Sequence, residues 1–220
     1  MTTRRSTGAV FALGICLAMA AGLAACGGSA KATTTTKATT AATTTTAPAQ
    51  AAALKPLLLT TADFPTGWAQ DTAKDAAGTK GTPTCVANLV LLKGSATSAS
   101  VVFASPGKNP TAVIQTAGVF APGQAAASVK SLKSTFESCN GGTLQSGNVT
   151  ASLKIKPIPG VSTGDAGFAD QMTLTEGNQS SYLDVLYAVK GSNAVFLGWS
   201  TTTAATTFFA QLAPKAVAKI

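Results

Sequence analysis

The chain has 220 residues, with 16 Lys and Arg against 8 Asp and Glu, four Cys and no His. The absence of His excludes a Ser-His-Asp triad, a Cys-His dyad and imidazole metal ligands. Only 11% of the residues are charged, which is too few for a protein that must neutralise many nucleic-acid phosphates. We therefore expect no nucleic-acid partner, no bound metal and no cofactor.

The N-terminal residues are typical of an export signal. Arg4 and Arg5 precede a largely apolar stretch at 9–25, which is rich in Ala and Gly and slightly short for a membrane span. The stretch ends in Leu23-Ala24-Ala25-Cys26, which resembles a bacterial lipobox. This resemblance implies cleavage before Cys26 and a diacylglycerol thioether on its sulfur. A membrane-spanning helix, or a plain signal with an incidental Cys, is the alternative.

The composition then divides the chain into three parts. Residues 1–25 are predicted to be a signal peptide, and 26–53 a lipidated Cys followed by a Thr- and Ala-rich tether. Ten of the fourteen residues at 33–46 are Thr, so this stretch lacks the apolar side chains that folding needs. Residues 54–220 are predicted to form one domain.

Removing Arg4 and Arg5 with the signal peptide leaves a net charge of +6, which suits either the neighbourhood of anionic lipids or simple solubility.

Cys85 and Cys139 remain once Cys16 has left with the signal and Cys26 has been acylated. In an oxidising compartment, an even pair of this kind predicts a disulfide. Two separate reduced thiols in the core are the alternative. A catalytic thiol is not expected, because no imidazole can generate the thiolate.

Hydrophobic periodicity predicts an α+β domain. The expected architecture is a single antiparallel sheet of about six strands, with two main helices on one face and one disulfide. The strands are predicted at 100–105, 112–120, 149–156, 166–175, 181–190 and 194–203. Helices are predicted at 83–92, 124–138 and 204–220, with a bend or a restart at Pro214 in the last.

The segment 57–68, which reads LLLTTADFPTGW, opens this domain, and Pro65 with Gly67 predicts a bend that presents Trp68. Together with the lipobox, the Thr-rich stretch and a helix ending in Phe136-Glu137-Ser138-Cys139, it resembles actinobacterial envelope lipoproteins. The folded part is similar to the extracellular sensor domain of the mycobacterial Ser/Thr kinase PknH. That resemblance implies an antiparallel sheet packed by helices, with a cleft for an unidentified extracellular ligand. Sensor domains of this type carry two disulfides, whereas this chain has cysteines for one. A second resemblance, to PsbP-like lipoproteins, rests only on the predicted sheet topology.

Candidate chemistry in the domain is sparse. The G-x-S-x-G match at 160–164 lacks the strand before it and the His that a nucleophile elbow needs, so it is interpreted as a loop. Asp170 and Asp184 fall inside predicted strands, where a solvated face is expected; a buried carboxylate there is the alternative and would be a candidate site. Trp68, Trp199 and Tyr187 are the candidate cleft residues.

These observations predict a protein on the outer face of the plasma membrane, held there by the lipid anchor at Cys26. It would be a non-enzymatic module that binds or senses an unknown envelope ligand or protein. A carrier of envelope lipids or glycolipids is the alternative, and a hydrolase ranks last.

Overall fold

The computed structural model describes residues 52–72, 84–107, 110–146 and 149–220. The strands are β1 (Ala69–Gln70), β2 (Thr97–Ala104), β3 (Ala112–Val119), β4 (Thr143–Ser146), β5 (Val149–Pro157), β6 (Ala166–Glu176), β7 (Gln179–Lys190) and β8 (Asn193–Thr201). The α-helices are α1 (Thr84–Val90), α2 (Gln124–Glu137) and α3 (Thr207–Ala218). Short 3-10 helices occupy Lys55–Leu57 and Thr61–Asp63. The predicted signal peptide, Cys26 and nearly all of the predicted tether lie outside the described residues.

All eight strands form one antiparallel sheet in the order β1-β2-β3-β8-β7-β6-β5-β4. The antiparallel sheet is confirmed, and each of the six predicted strands is present, but the prediction of about six strands is too low. β1 and β4 were not predicted. Both lie at the edges of the sheet and are short, so they lack the alternating apolar pattern that burial imposes on longer strands.

The central strands are packed on both faces. In β7, Val185, Tyr187 and Val189 join the cluster around α1 and α2, whereas Leu186 and Ala188 join the cluster around α3. The prediction that the helices share one face is therefore wrong, and the helices outnumber the two main ones expected. A strand that is apolar on both faces needs other elements packed against each face, and α3 packs against the second face.

Helices from different parts of the chain pack on the two faces of the sheet. On the first face, α1 and α2 contribute Leu89, Leu132 and Phe136, all 4% exposed or less. On the second face, α3 contributes Phe209 and Leu212. α3 runs from Thr207 to Ala218 through Pro214 as one helix, without a restart at the proline.

The segment before β1 completes the second face. The buried side chain of Gln115 in β3 accepts a hydrogen bond from the backbone N–H of Leu59 and donates one to the carbonyl of Leu57 (3.0 Å). Leu59 is itself 3% exposed and packs in the core on this face. An amide side chain satisfies one donor and one acceptor at once, so the segment is fixed across the sheet.

The predicted disulfide is confirmed, since Cys85 and Cys139 are joined with their Cα atoms 6.3 Å apart. Cys85 lies in the first turn of α1, and Cys139 follows directly after the cap of α2. The bond therefore ties together the two helices that cover the first face of the sheet.

Candidate functional site

The segment 60–68 folds into two consecutive turns. Asp63 accepts hydrogen bonds from the backbone N–H (2.7 Å) and the hydroxyl (3.1 Å) of Thr60, which closes the first turn. The N–H of Trp68 then donates to the carbonyl of Pro65 (3.3 Å), with Gly67 at φ +92°, a conformation that favours glycine. The predicted bend is present, and it brings Trp68 over the second face of the sheet.

Trp68 and Trp199 meet in an aromatic cluster that also includes Phe64, Phe103 and Phe208. The ring of Phe208, in the first turn of α3, lies 5.1 Å from that of Trp68 and 5.0 Å from that of Trp199, measured between centroids. Phe64 stacks on Trp68 at 5.1 Å and contacts Phe103 at 4.3 Å. Trp199 is 6% exposed, whereas Trp68 and Phe208 are only half-buried. The cluster therefore extends from the core to the surface.

A groove of about 260 Å³ opens beside this cluster, between the turn at 63–65 and one side of α3. We call it the aromatic groove; its lining residues are Asp63, Phe64, Pro65, Phe208, Gln211, Leu212 and Lys215. Its walls are aromatic and aliphatic, and its rim carries amide, ammonium and carboxylate groups. This combination of apolar walls with a few polar groups is typical of small-molecule sites.

The rim is held together by Asp63. Lys215 donates a hydrogen bond to the carbonyl of Asp63 (2.6 Å), and Lys219 forms an ion pair with its carboxylate at 3.4 Å. Burial opposes ionisation of this carboxyl, but the hydrogen bonds from Thr60 and the charge of Lys219 outweigh burial and lower its pKa. The turn is thus fixed on α3 through a carboxylate that is ionised at neutral pH.

A row of buried polar side chains lies directly under the cluster. Trp199 in β8 is the register partner of Asp184 in β7, and Asp184 is the partner of Gln171 in β6. Gln171 donates to the Asp184 carboxylate (2.7 Å) and to the carbonyl of Ala204 (3.3 Å). Asp184 and Gln171 are both 0% exposed.

Three atoms of this row have no hydrogen-bond partner among the described residues: Asp184 Oδ2, Gln171 Oε1 and Trp199 Nε1. Burial raises the pKa of Asp184 to about 6, although the hydrogen bond from Gln171 and the charge of Lys156 act in the opposite direction. A carboxyl with a raised pKa therefore lies beside Trp199, the buried member of the aromatic cluster.

Asp170, the other strand carboxylate, lies on the opposite face of the sheet. It is 2% exposed, and one of its oxygens is 4.0 Å from Lys133 of α2. Burial raises its pKa, while Lys133 partly offsets this. The expected solvated face is wrong for both carboxylates. Since Asp170 and Asp184 are separated by the sheet, they do not form a carboxylate pair of the kind that cleaves glycosidic bonds.

Of the three predicted cleft residues, Trp68 and Trp199 are brought together and Tyr187 is not. Tyr187 is 0% exposed on the first face, where its hydroxyl shares a 2.7 Å hydrogen bond with Ser128 of α2. Sequence reasoning missed Phe208 and Gln171 at the site. The burial of Asp184 could have been predicted from its position inside the apolar run 183–189, which is too hydrophobic for a strand with a solvated face.

Comparisons with known proteins return matches among solved structures. The crystal structure of the extracellular domain of PknH from Mycobacterium tuberculosis is similar to this chain at 16% sequence identity and a TM-score of 0.47. The match covers 69% of this chain and 76% of that domain. Neither a protein-family model nor a curated protein matches the chain. Within the described ranges, no helix combines the length and hydropathy required to cross a bilayer.

Proposed function

We propose that this chain is a lipid-anchored extracytoplasmic protein whose folded part is a non-enzymatic binding module, with the aromatic groove as its ligand site. One observation carries the proposal: the half-buried ring of Phe208, which stacks on the half-buried ring of Trp68, lines an open groove with a polar rim. A protein without a binding task gains more stability by burying such rings completely.

The lining of the groove favours a ligand with one apolar face and several hydrogen-bonding groups. Phe64, Phe208 and Leu212 provide the apolar contact, and Gln211 with Lys215 provides donors. A volume of about 260 Å³ lies below the range of pockets that enclose a drug-sized ligand. A sugar ring fits this description, because its C–H groups form an apolar face and its hydroxyls lie around the edge. We therefore propose a glycan unit of the cell envelope as the ligand.

The alternative functions receive less support. A lipid carrier needs a larger apolar cavity, whereas the aromatic groove is small and the strands beneath it are packed on both faces. A hydrolase that uses two carboxylates needs them on one side of its substrate, whereas Asp170 and Asp184 lie on opposite faces of the sheet.

Intrinsic fluorescence tests the ligand site, because the two tryptophans of the sequence, Trp68 and Trp199, both belong to the cluster. Titration with size-fractionated glycans from a muramidase digest of the cell wall is expected to change the emission saturably. Phe208→Leu keeps an apolar side chain of similar size but loses the stacking, and is expected to weaken binding about tenfold.

The matched control is Leu91→Ala, which truncates an exposed apolar side chain remote from the groove. It should bind as the wild type does. If no glycan fraction changes the emission, or if Phe208→Leu binds as tightly as Leu91→Ala, the aromatic groove is not the ligand site.

The anchor has its own test in the producing cell. Cys26→Ala removes the proposed acylation site, so the protein is expected to appear in the medium without the acyl mass that the wild type carries. Two or three acyl chains hold a protein stably on a bilayer, and the variant lacks the sulfur that would carry two of them. Cys16→Ala, inside the predicted signal peptide, is the control and should stay in the membrane fraction. If the wild type carries no acyl mass, or if Cys26→Ala carries the same acyl mass as the wild type, lipid anchoring at Cys26 is contradicted.

A further inference from the structure

A second groove lies on the first face of the sheet, between α1 and α2, and has a different chemistry. Its volume is about 250 Å³, and its lining residues are Asn88, Lys93, Ser128, Ser131, Leu132 and Thr135. We call it the polar groove. Five of these six side chains carry hydrogen-bonding groups, whereas the aromatic groove is walled largely by rings and aliphatic groups.

The polar groove carries an unneutralised positive charge. Lys93 is its one ionisable lining residue, and no carboxylate of the described residues lies within ion-pair distance of it. By contrast, Lys133 on the neighbouring helix is 2.8 Å from Glu137. A cation without a counterion in a concave surface attracts an anion.

Hydroxyl and amide groups surround this charge. Ser128 is already used, because its hydroxyl donates to the carbonyl of Ala125 (2.6 Å) and bonds to the hydroxyl of Tyr187. Thr135 donates to the carbonyl of Ser131 (2.9 Å). The side chains of Ser131 and Asn88 have no hydrogen bond to another described residue, so two neutral donors and one charged donor are available to a ligand.

Backbone hydrogen bonds fix the main chain at Lys93, whose exposed side chain lines the groove. The N–H of Lys93 donates to the carbonyl of Asn88 (3.1 Å), and the N–H of Leu92 donates to that of Leu89 (3.0 Å). These two bonds form a Schellman motif, in which the residue at the position of Leu92 is left-handed and usually glycine. Leu92 adopts φ +44° and is 0% exposed, so its burial in the core holds this turn.

The two walls are also fixed relative to each other. The Cys85–Cys139 disulfide joins the first turn of α1 to the end of α2, and Leu89 packs with Leu132 in the core below the groove. A site whose walls do not rearrange loses little entropy when a ligand binds.

We propose that the polar groove binds a phosphate group, with Lys93 as the charged donor and Ser131 and Asn88 as neutral donors. This site is separate from the aromatic groove and does not depend on the function proposed for it. A phosphate fits because its several acceptor oxygens match an ammonium surrounded by hydroxyl and amide donors. The phosphate could belong to a soluble ester or to a lipid headgroup, and the two sources are distinguished by experiment.

The soluble arm is a calorimetric titration of the folded protein with inorganic phosphate and with glycerol 3-phosphate at low ionic strength. The wild type is expected to bind both saturably. Lys93→Gln is expected to weaken binding at least about tenfold, which corresponds to the loss of one charge-assisted hydrogen bond. Lys130→Gln removes an exposed lysine of α2 that does not line the groove, and it should bind as the wild type does.

The lipid arm measures sedimentation with phosphatidylcholine vesicles that contain or lack phosphatidylglycerol. If Lys93→Gln binds such vesicles less well than Lys130→Gln, the phosphate is that of a headgroup. If only soluble phosphate binding depends on Lys93, the ligand is a soluble ester. If the wild type binds neither saturably, or if the two variants behave alike in both arms, the proposal is overturned.

Discussion

Simultaneous replacement of Cys85 and Cys139 by alanine is expected to lower the free energy of unfolding by about 4 kcal/mol. The two cysteines are 54 residues apart, so the disulfide closes a long loop and removes much of the conformational freedom of the unfolded chain. Both side chains also pack in the core formed by α1 and α2. Urea denaturation of the wild type and the double variant at neutral pH measures the difference.

Reduced wild-type protein is the matched control for this pair of substitutions. It should unfold at nearly the same urea concentration as the double variant, because both lack the same loop closure. A loss below about 1 kcal/mol would show that the unfolded chain gains little freedom when the bond is absent.

Asp184→Asn is expected to stabilise the protein at neutral pH by about 2 to 3 kcal/mol. The pKa of Asp184 is raised to about 6 in the folded protein, against about 3.9 in an unfolded chain. Between about pH 4 and pH 6 the folded state binds more protons than the unfolded state, so the free energy of unfolding decreases as pH rises through this window. Asparagine keeps the acceptor for Gln171 and carries no charge to bury.

The variant and the wild type should therefore have similar stability near pH 4 and diverge above it. Asp170, whose pKa is also raised by burial, leaves part of the pH dependence in the variant. Glu176→Gln, an exposed site at the end of β6, is the control and should leave the profile unchanged. If Asp184→Asn retains the full pH dependence of the wild type, Asp184 is not the buried group that causes it.

The elements that the sequence predicted share a strong local signal. β5 alternates apolar and polar side chains from 149 to 156, and α2 places Val129, Leu132 and Phe136 at helical spacing. The disulfide was predicted from the two cysteines that remain once the predicted signal peptide and the predicted acylation site are set aside. β4, with the sequence Thr-Leu-Gln-Ser, lacks such a pattern because one neighbouring strand is enough to hold a short strand at the edge.

The packing of α3 on the second face of the sheet was not predicted, although the sequence of the central strands indicates it. The runs at 183–189 in β7 and 194–197 in β8 contain one polar residue, Asp184, so both faces of these strands had to be covered. The same observation would have predicted that Asp184 is buried. Sequence spacing alone could not show that Phe208 lies between Trp68 and Trp199, because the three residues meet only through the register of β8 and the packing of α3.

The position of the ligand site is tested most directly by a ¹H–¹⁵N NMR titration of the folded protein with the glycan fraction that changes the tryptophan emission. We expect saturable shifts of the Trp68 indole signal and of the amide signals at 63–68 and 208–215, around the aromatic groove. Saturable shifts confined to α1 and α2, with the Trp68 signal unmoved, would contradict it.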